Sequence, residues 1–100
     1  MEVRVGEFIW DANKNASNRK KHGLSFEKAC RIFEGKVVTF VDDRWDYGEV
    51  RHVSYGEIDS VMVVVVVHTD RDGLTRVISA RKAKERERKK YYAEIAGYRS

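Results

Sequence analysis

The run VMVVVVV at residues 61–67 decides the fold, because it is the longest apolar stretch in a chain of 100 residues. Its odd and even positions are both apolar, which is typical of a β-strand that is covered on both faces. At a sheet edge such a run would promote aggregation, and it is far too short for a membrane-spanning helix. We therefore predict a central, buried strand at Val61–Thr69.

Other strand patterns flank this run. An opening strand is predicted around Val3, Val5, Phe8 and Trp10, with Gly6 as a bulge. Further runs are β-branched or alternating: Val37–Asp42, Val50–Tyr55 and Leu74–Ala80. Asp72-Gly73 lies between the last two strands and predicts a tight hairpin.

Helical patterns precede and follow the strands. Asp11 and Gly23 are suited to begin and end a polar helix. Ser25 caps a second helix that ends at Gly35 and has apolar residues at helical spacing: Phe26, Ala29, Cys30 and Phe33. A basic helix is predicted from Arg81 onward, with an apolar stripe of Ala83, Tyr91, Ile95 and Tyr98.

The order β-α-α-β-β-β-β-α predicts an α+β fold of two layers, a twisted and mainly antiparallel sheet packed by helices. No repeat or linker interrupts it, so residues 1–100 are predicted to be a single domain. Only Cys30 is present, which excludes a disulfide within the chain and is typical of reducing compartments. The opening MEVRVGEFIW lacks the apolar core of a signal peptide. We therefore predict a cytoplasmic protein without a membrane segment.

The net charge of +4 is concentrated in two segments. Residues 14–31 carry six Lys or Arg and one Glu, and residues 81–92 carry seven Lys or Arg and two Glu. Residues 32–60, between them, carry three basic and seven acidic side chains. If the fold brings the two basic segments together, their combined field attracts polyanions such as RNA. Alternatively, each segment is only the solvated face of a helix.

The reactive side chains favour chemistry without a metal. The three histidines are isolated from one another and there is one cysteine, so the sequence predicts no metal site and no cofactor. Cations, histidines and tyrosines remain, and these are the groups that a metal-free ribonuclease needs. The 2′-hydroxyl of RNA then attacks the adjacent phosphorus, a base and an acid move the protons, and cations stabilise the phosphorane oxygens.

Three histidine-containing segments are candidates for this chemistry. His22 follows Lys21 at the predicted end of the first helix, where the helix dipole favours an imidazolium, although a simple cap is the alternative. Arg51 and His52 point to opposite faces of their strand, so one of them faces solvent or a site. His68 ends the valine strand and is expected to be structural.

Arg81 is the best-placed arginine, because it lies where the last strand is predicted to meet the basic helix. Glu85 and Arg86 follow roughly one helical turn later. Tyr91 is suited to stack on an RNA base, although a tyrosine in a helix more often packs in the core.

Over nearly its whole length the sequence resembles the BrnT family, the ribonuclease half of bacterial type II toxin–antitoxin pairs. The matching residues include Phe8-Ile9-Trp10-Asp11, Lys21-His22-Gly23-Leu24-Ser25-Phe26-Glu27, Val65-Val66-Val67-His68-Thr69, Ile78-Ser79-Ala80-Arg81, Glu85-Arg86 and Tyr91. The resemblance implies a RelE-like fold and metal-independent cleavage of RNA that arrests translation. It also implies a BrnA-like antitoxin with a ribbon-helix-helix part, through which alone the complex would contact operator DNA.

Within that family we expect Arg51 and Arg81 to stabilise the phosphorane and His22 to act as acid or base. Lys21 would hold a neighbouring phosphate, so these four side chains should lie on one surface. The remaining predicted substrate-binding residues are Glu85, Arg86 and Tyr91. The alternative is a protein without catalysis, a co-repressor or degenerate toxin that binds RNA or its partner and leaves RNA intact.

Overall fold

The computed structural model describes residues 1–44 and 48–97, which form a six-stranded sheet and its covering helices. The elements are β1 (Glu2–Val5), β2 (Phe8–Asp11), α1 (Ala12–His22), α2 (Phe26–Ala29), a 3₁₀ helix (Cys30–Glu34), β3 (Val37–Asp42), β4 (Arg51–Ile58), β5 (Met62–Arg71), β6 (Leu74–Lys82) and α3 (Glu85–Gly97). The strand order is β1-β2-β6-β5-β4-β3. Neighbouring strands are antiparallel except β2 and β6, which pair in parallel over two residues. No described helix has the length and apolar character needed to cross a membrane.

The valine run is buried from both sides, as predicted. Val64 and Val66 contribute to the main core with α2 and the 3₁₀ helix, and we call this side of the sheet the core face. Val63 packs on the other side with Tyr91 of α3, and we call that side the groove face. The α+β class and the mainly antiparallel sheet are confirmed. The helices, however, cover both faces, because a strand that is apolar on both faces needs cover from both sides.

The opening of the chain differs from the single bulged strand that was expected. Gly6 adopts a left-handed conformation with φ of 59°, and Val5 pairs with Phe8 across a two-residue turn. The segment is therefore a hairpin, β1 and β2. The predicted Asp72-Gly73 turn is confirmed, since both residues have positive φ (53° and 80°) and connect β5 to β6.

The second helix is shorter than its sequence pattern indicated. Asp11, Gly23 and Ser25 act as the predicted caps, but after Ala29 the chain tightens into the 3₁₀ helix. This change of pitch brings Ile32 into the centre of the core, while Phe33 is only partly buried. Ile32 contacts the backbone of β4 at a glycine, where an added Cβ on Gly56 would lie 2.5 Å from the Ile32 Cβ.

The last helix begins four residues later than expected. Arg81 belongs to β6 and pairs with Val65 of β5, so the hydrogen bonds of the sheet extend the strand to Lys82. Ala83, Tyr91 and Ile95 do pack against the groove face, as the apolar stripe predicted. Tyr98, the fourth member of that stripe, lies outside the described residues.

Candidate functional site

An open groove of about 460 Å³ lies on the groove face of the sheet. The apolar side chains of α3 pack near Val38 and Val63 and leave the rest of this face accessible. The strands contribute side chains that include Phe40, Val53, Tyr55, Val65, Val67 and Arg81, and α3 contributes Glu87, Lys90, Tyr91 and Glu94. The groove therefore combines an apolar floor with charged residues along its sides.

The register of the strands explains why Arg81 enters this groove. Val38, Tyr55, Val65 and Arg81 are successive partners across β3, β4, β5 and β6. Residues in one register row point to the same face of a sheet. Arg81 therefore faces the side of the sheet that α3 covers, with Tyr55 two strands away.

Arg81 is held by Glu87, the third residue of α3. Its Nη1 and Nη2 atoms donate to Glu87 Oε1 and Oε2 at 2.8 and 2.9 Å. The carboxylate also accepts the backbone N–H of Lys84 at 2.8 Å, as a glutamate at this position of a helix often does. The hydrogen bonds from Arg81 are the main reason that the pKa of Glu87 falls to about 2, and they also raise the pKa of Arg81. Both groups are thus charged throughout the physiological range.

Tyr55 stands beside this ion pair. Its hydroxyl lies 3.5 Å from Glu87 Oε2, and its ring meets Phe40 edge-on. Burial, followed by the charge of Glu87, raises the pKa of Tyr55. The phenol therefore stays protonated and can donate a hydrogen.

The backbone next to Arg81 is fixed by a side chain from the other end of the chain. Asn18 of α1 donates to the carbonyls of Leu24 and Ala80 at 2.9 and 2.8 Å and accepts the Ala80 N–H at 3.2 Å. Asn18 is buried. It supplies to β6 the hydrogen bonds that a neighbouring strand would otherwise provide beyond the end of β2.

The structure brings some of the predicted site residues together but not all of them. Arg81 and Tyr91 line the groove, and Arg51, at the start of β4, has the same parity as Val53 and Tyr55 but does not line it. Lys21 and His22 end α1 and do not line the groove. The four cationic candidates, Lys21, His22, Arg51 and Arg81, are therefore not gathered in this groove.

Three predicted substrate-binding residues lie on α3. Glu85 and Arg86 are exposed in its first turn, and Glu85 pairs with Lys89. Tyr91 is buried, and its hydroxyl donates to the Lys36 carbonyl at 2.8 Å. This placement favours packing over base stacking for Tyr91.

The histidines of the sheet form a separate cluster on the core face. His68 Nε2 lies 2.7 Å from Ser54 Oγ, and its ring stacks on His52 at 5.5 Å and meets Phe33 edge-on. Burial, with a smaller contribution from His52, lowers the pKa of His68 to about 4. His68 is thus neutral at pH 7 and structural, as predicted. Among residues 1–44 and 48–97, no histidine lines the groove.

Sequence reasoning missed Glu87, Tyr55 and Asn18 as parts of the site. The sequence could have indicated Glu87, because a glutamate three residues after an N-cap often accepts the N–H of the cap residue. Predicting the start of the helix at Arg81 instead of Glu85 put the N-cap at the wrong residue. Within the described part of the chain, no group of three or more His, Cys, Asp or Glu side chains is arranged to hold a metal ion.

Comparison with known proteins places this chain in a family. The model of the family described as "Ribonuclease toxin, BrnT, of type II toxin-antitoxin system" matches residues 10–87, which include Arg81 and Glu87. The chain belongs to the BrnT family. The fold is also similar to the crystal structure of the Brucella abortus ribonuclease toxin BrnT, with 26% sequence identity and a TM-score of 0.58. That match covers 76% of this BrnT-family chain and 94% of the Brucella chain. No match is found among curated proteins.

Proposed function

We propose that this BrnT-family protein is a metal-independent endoribonuclease that cleaves RNA, inhibits translation and is neutralised by a BrnA-like ribbon-helix-helix antitoxin. The observation that carries the proposal is Arg81, held by Glu87 in an open groove of a chain from a ribonuclease toxin family. A fixed guanidinium beside a scissile phosphate can stabilise the charge that develops on the phosphorane oxygens. Arg81 thus offers an electrostatic contribution that needs no metal ion.

The proton that the 5′-oxygen gains is assigned to a different residue than the sequence suggested, and no residue of the groove is assigned as the base. The 2′-hydroxyl attacks the adjacent phosphorus and loses its proton, the bond to the 5′-oxygen breaks, and that oxygen gains a proton. The products are a 2′,3′-cyclic phosphate and a 5′-hydroxyl. Tyr55 lies in the groove in the same register row as Arg81, and its hydroxyl, which donates to Glu87 Oε2, is our candidate for the acid. His22 ends α1 and does not line the groove, so its role stays a prediction without support from the fold.

The test is cleavage of an unstructured RNA by purified protein in the presence of EDTA. We expect new 5′-hydroxyl ends from the wild type, a large loss with Arg81→Ala and no loss with Arg4→Ala, which removes an exposed arginine of β1. His22→Ala and Arg51→Ala test the two other predicted catalytic residues in the same assay. RNA that stays intact with the wild type, while binding weakens steeply with salt, would favour the non-catalytic alternative.

The partner is tested separately. A reading frame beside this gene that encodes a small ribbon-helix-helix protein is expected, and its purified product should suppress both RNA cleavage and the arrest of cell-free translation. Operator DNA should bind to the complex of the two proteins and not to the toxin alone.

A further inference from the structure

The Arg81 guanidinium has two edges that can each hold an oxyanion, and one of them is already occupied. Glu87 takes one hydrogen from Nη1 and one from Nη2. The second Nη1 hydrogen points to the Lys82 carbonyl at 3.3 Å. An arginine carries five N–H donors in a rigid plane. Two donors therefore remain, the Nε–H and the second Nη2–H, and these form one edge of the fork.

That second edge makes no hydrogen bond to the described residues. Every hydrogen bond of Arg81 in the described part of the chain goes through Nη1 or Nη2 to Glu87 and Lys82. About a third of the Arg81 side chain is exposed, with a relative accessibility of 36%, compared with 18% for Glu87. Both side chains line the groove, and the arginine is the more exposed of the two.

Glu87 is unsuited to being displaced by a substrate. Its carboxylate accepts two hydrogen bonds from Arg81 and one from the backbone of Lys84, where α3 begins. Expelling it would leave the Lys84 N–H without its cap and the carboxylate without its cation. A phosphate that approaches the groove therefore meets Arg81 with its plane already fixed.

We infer that Glu87 is a positioning residue, which fixes the Arg81 guanidinium so that its Nε/Nη2 edge receives a phosphate of the RNA backbone in two parallel hydrogen bonds. Paired N–H groups of arginine match the geometry of phosphate oxygens. The inference rests on the proposed function, since it assigns the phosphate-binding edge of that same site. Glu87 does not act as the base, because its carboxylate already accepts four hydrogen bonds, two from Arg81, one from the Lys84 N–H and a long one from the Tyr55 hydroxyl.

A variant that removes only the charge of Glu87 distinguishes the positioning of Arg81 from the binding of RNA. In Glu87→Gln the side chain keeps its length and an oxygen that can accept the Lys84 N–H. Its NH₂ group, however, faces an N–H of Arg81, so one of the two hydrogen bonds from Arg81 is lost. We expect single-turnover cleavage to slow by about tenfold to a hundredfold, as is usual when a reacting group is misplaced. Affinity for a 2′-O-methylated RNA, which lacks the nucleophile, should stay the same or rise, because a negative charge has left the groove.

The matched control is Glu2→Gln, which breaks a second arginine–glutamate pair, that of Arg76 with Glu2 at 2.8 Å on β1 and β6. It should leave cleavage and RNA affinity unchanged. Urea unfolding of both variants identifies any loss that comes from stability. Glu87→Gln protein that is folded and cleaves as fast as the wild type, or faster, would overturn the positioning role. So would a loss of affinity that matches the loss of cleavage.

A measurement without catalysis tests the same edge. The Nε–H resonance of Arg81, assigned with Arg81→Lys, should shift on addition of the methylated RNA, while the Nη signals keep the slow rotation that Glu87 imposes. In Glu87→Gln the Nη rotation should become fast. If the wild type does not cut RNA, the proposed function is wrong. The spectrum then still tests whether the Nε/Nη2 edge of Arg81 binds a phosphate. An Nε–H signal that RNA does not move refutes it.

Discussion

Replacing Asn18 with alanine should destabilise the protein far more than a single polar side chain usually does. The substitution removes three hydrogen bonds and leaves the N–H and carbonyl of Ala80 and the carbonyl of Leu24 without partners. At about 1 kcal/mol for each hydrogen bond, the loss is about 3 kcal/mol. Alanine is the better helix former and returns roughly 0.6 kcal/mol of that amount. The expected net loss in the free energy of unfolding is therefore about 2 to 3 kcal/mol.

Equilibrium unfolding in urea is the appropriate assay, and the m-value should not change. Asn13→Ala, on the exposed side of the same helix, is the control and should change stability by less than about 0.5 kcal/mol. Asn18→Asp keeps the shape but sets a carboxylate against two carbonyl oxygens. It should be at least as destabilising as alanine at pH 7 and should recover in part as the pH falls and the acid becomes a donor. The reasoning fails if Asn18→Ala costs less than about 1 kcal/mol.

Three further outcomes follow from the core. Gly56→Ala should lower the free energy of unfolding in urea by about 1 to 3 kcal/mol. Adding Ile32→Ala should not restore it, because the clash at 2.5 Å is with the Ile32 Cβ, which alanine keeps. Full recovery in the double variant would contradict this. Folding lowers the pKa of His68 from 6.5 to about 4, so the free energy of unfolding should keep its full value above pH 6.5 and fall by about 1 to 3 kcal/mol as the pH drops toward 4. In His68→Gln this fall should be smaller. Equal slopes for both proteins would contradict the prediction. Burial raises the pKa of Cys30 to about 12, so the folded protein holds almost no reactive thiolate. A thiol reagent should therefore label Cys30 only at the rate at which the protein unfolds. Immediate labelling of the native protein would contradict this.

The sequence was most informative where one residue type has one conformational use. Asp11, Ser25 and Gly23 cap helices as expected because their side chains, or the lack of one, suit helix ends. The valine run was recognised as central because no solvent-facing strand has that composition. Of the predicted site residues, only Arg81 and Tyr91 line the groove, and Tyr91 packs there with its hydroxyl on a backbone carbonyl.

The remaining features depend on contacts between segments that are distant in sequence. Tyr55 became visible only through the register of β4, β5 and β6, and Glu87 only through its hydrogen bonds to Arg81 from the first turn of α3. The pairing with Val65 kept Arg81 in a strand, although the residues after it have strong helix propensity. Basic residues at positions 14–31 and 81–92 suggested a common surface, but charge alone does not specify which face of the sheet a helix covers. Lys21 was therefore grouped with Arg81 on insufficient grounds.

The contact between α1 and β6 has a consequence for the biosynthesis of the protein. Asn18 is translated long before Ala80, yet the strand that carries Arg81 obtains part of its hydrogen bonding from it. Contacts between such distant segments form slowly during folding. Until β6 and the first turn of α3 have left the ribosome, Arg81 has neither of its supports. The groove therefore forms only after the chain has emerged from the ribosome through the first turn of α3, however early the helix that carries Asn18 was made.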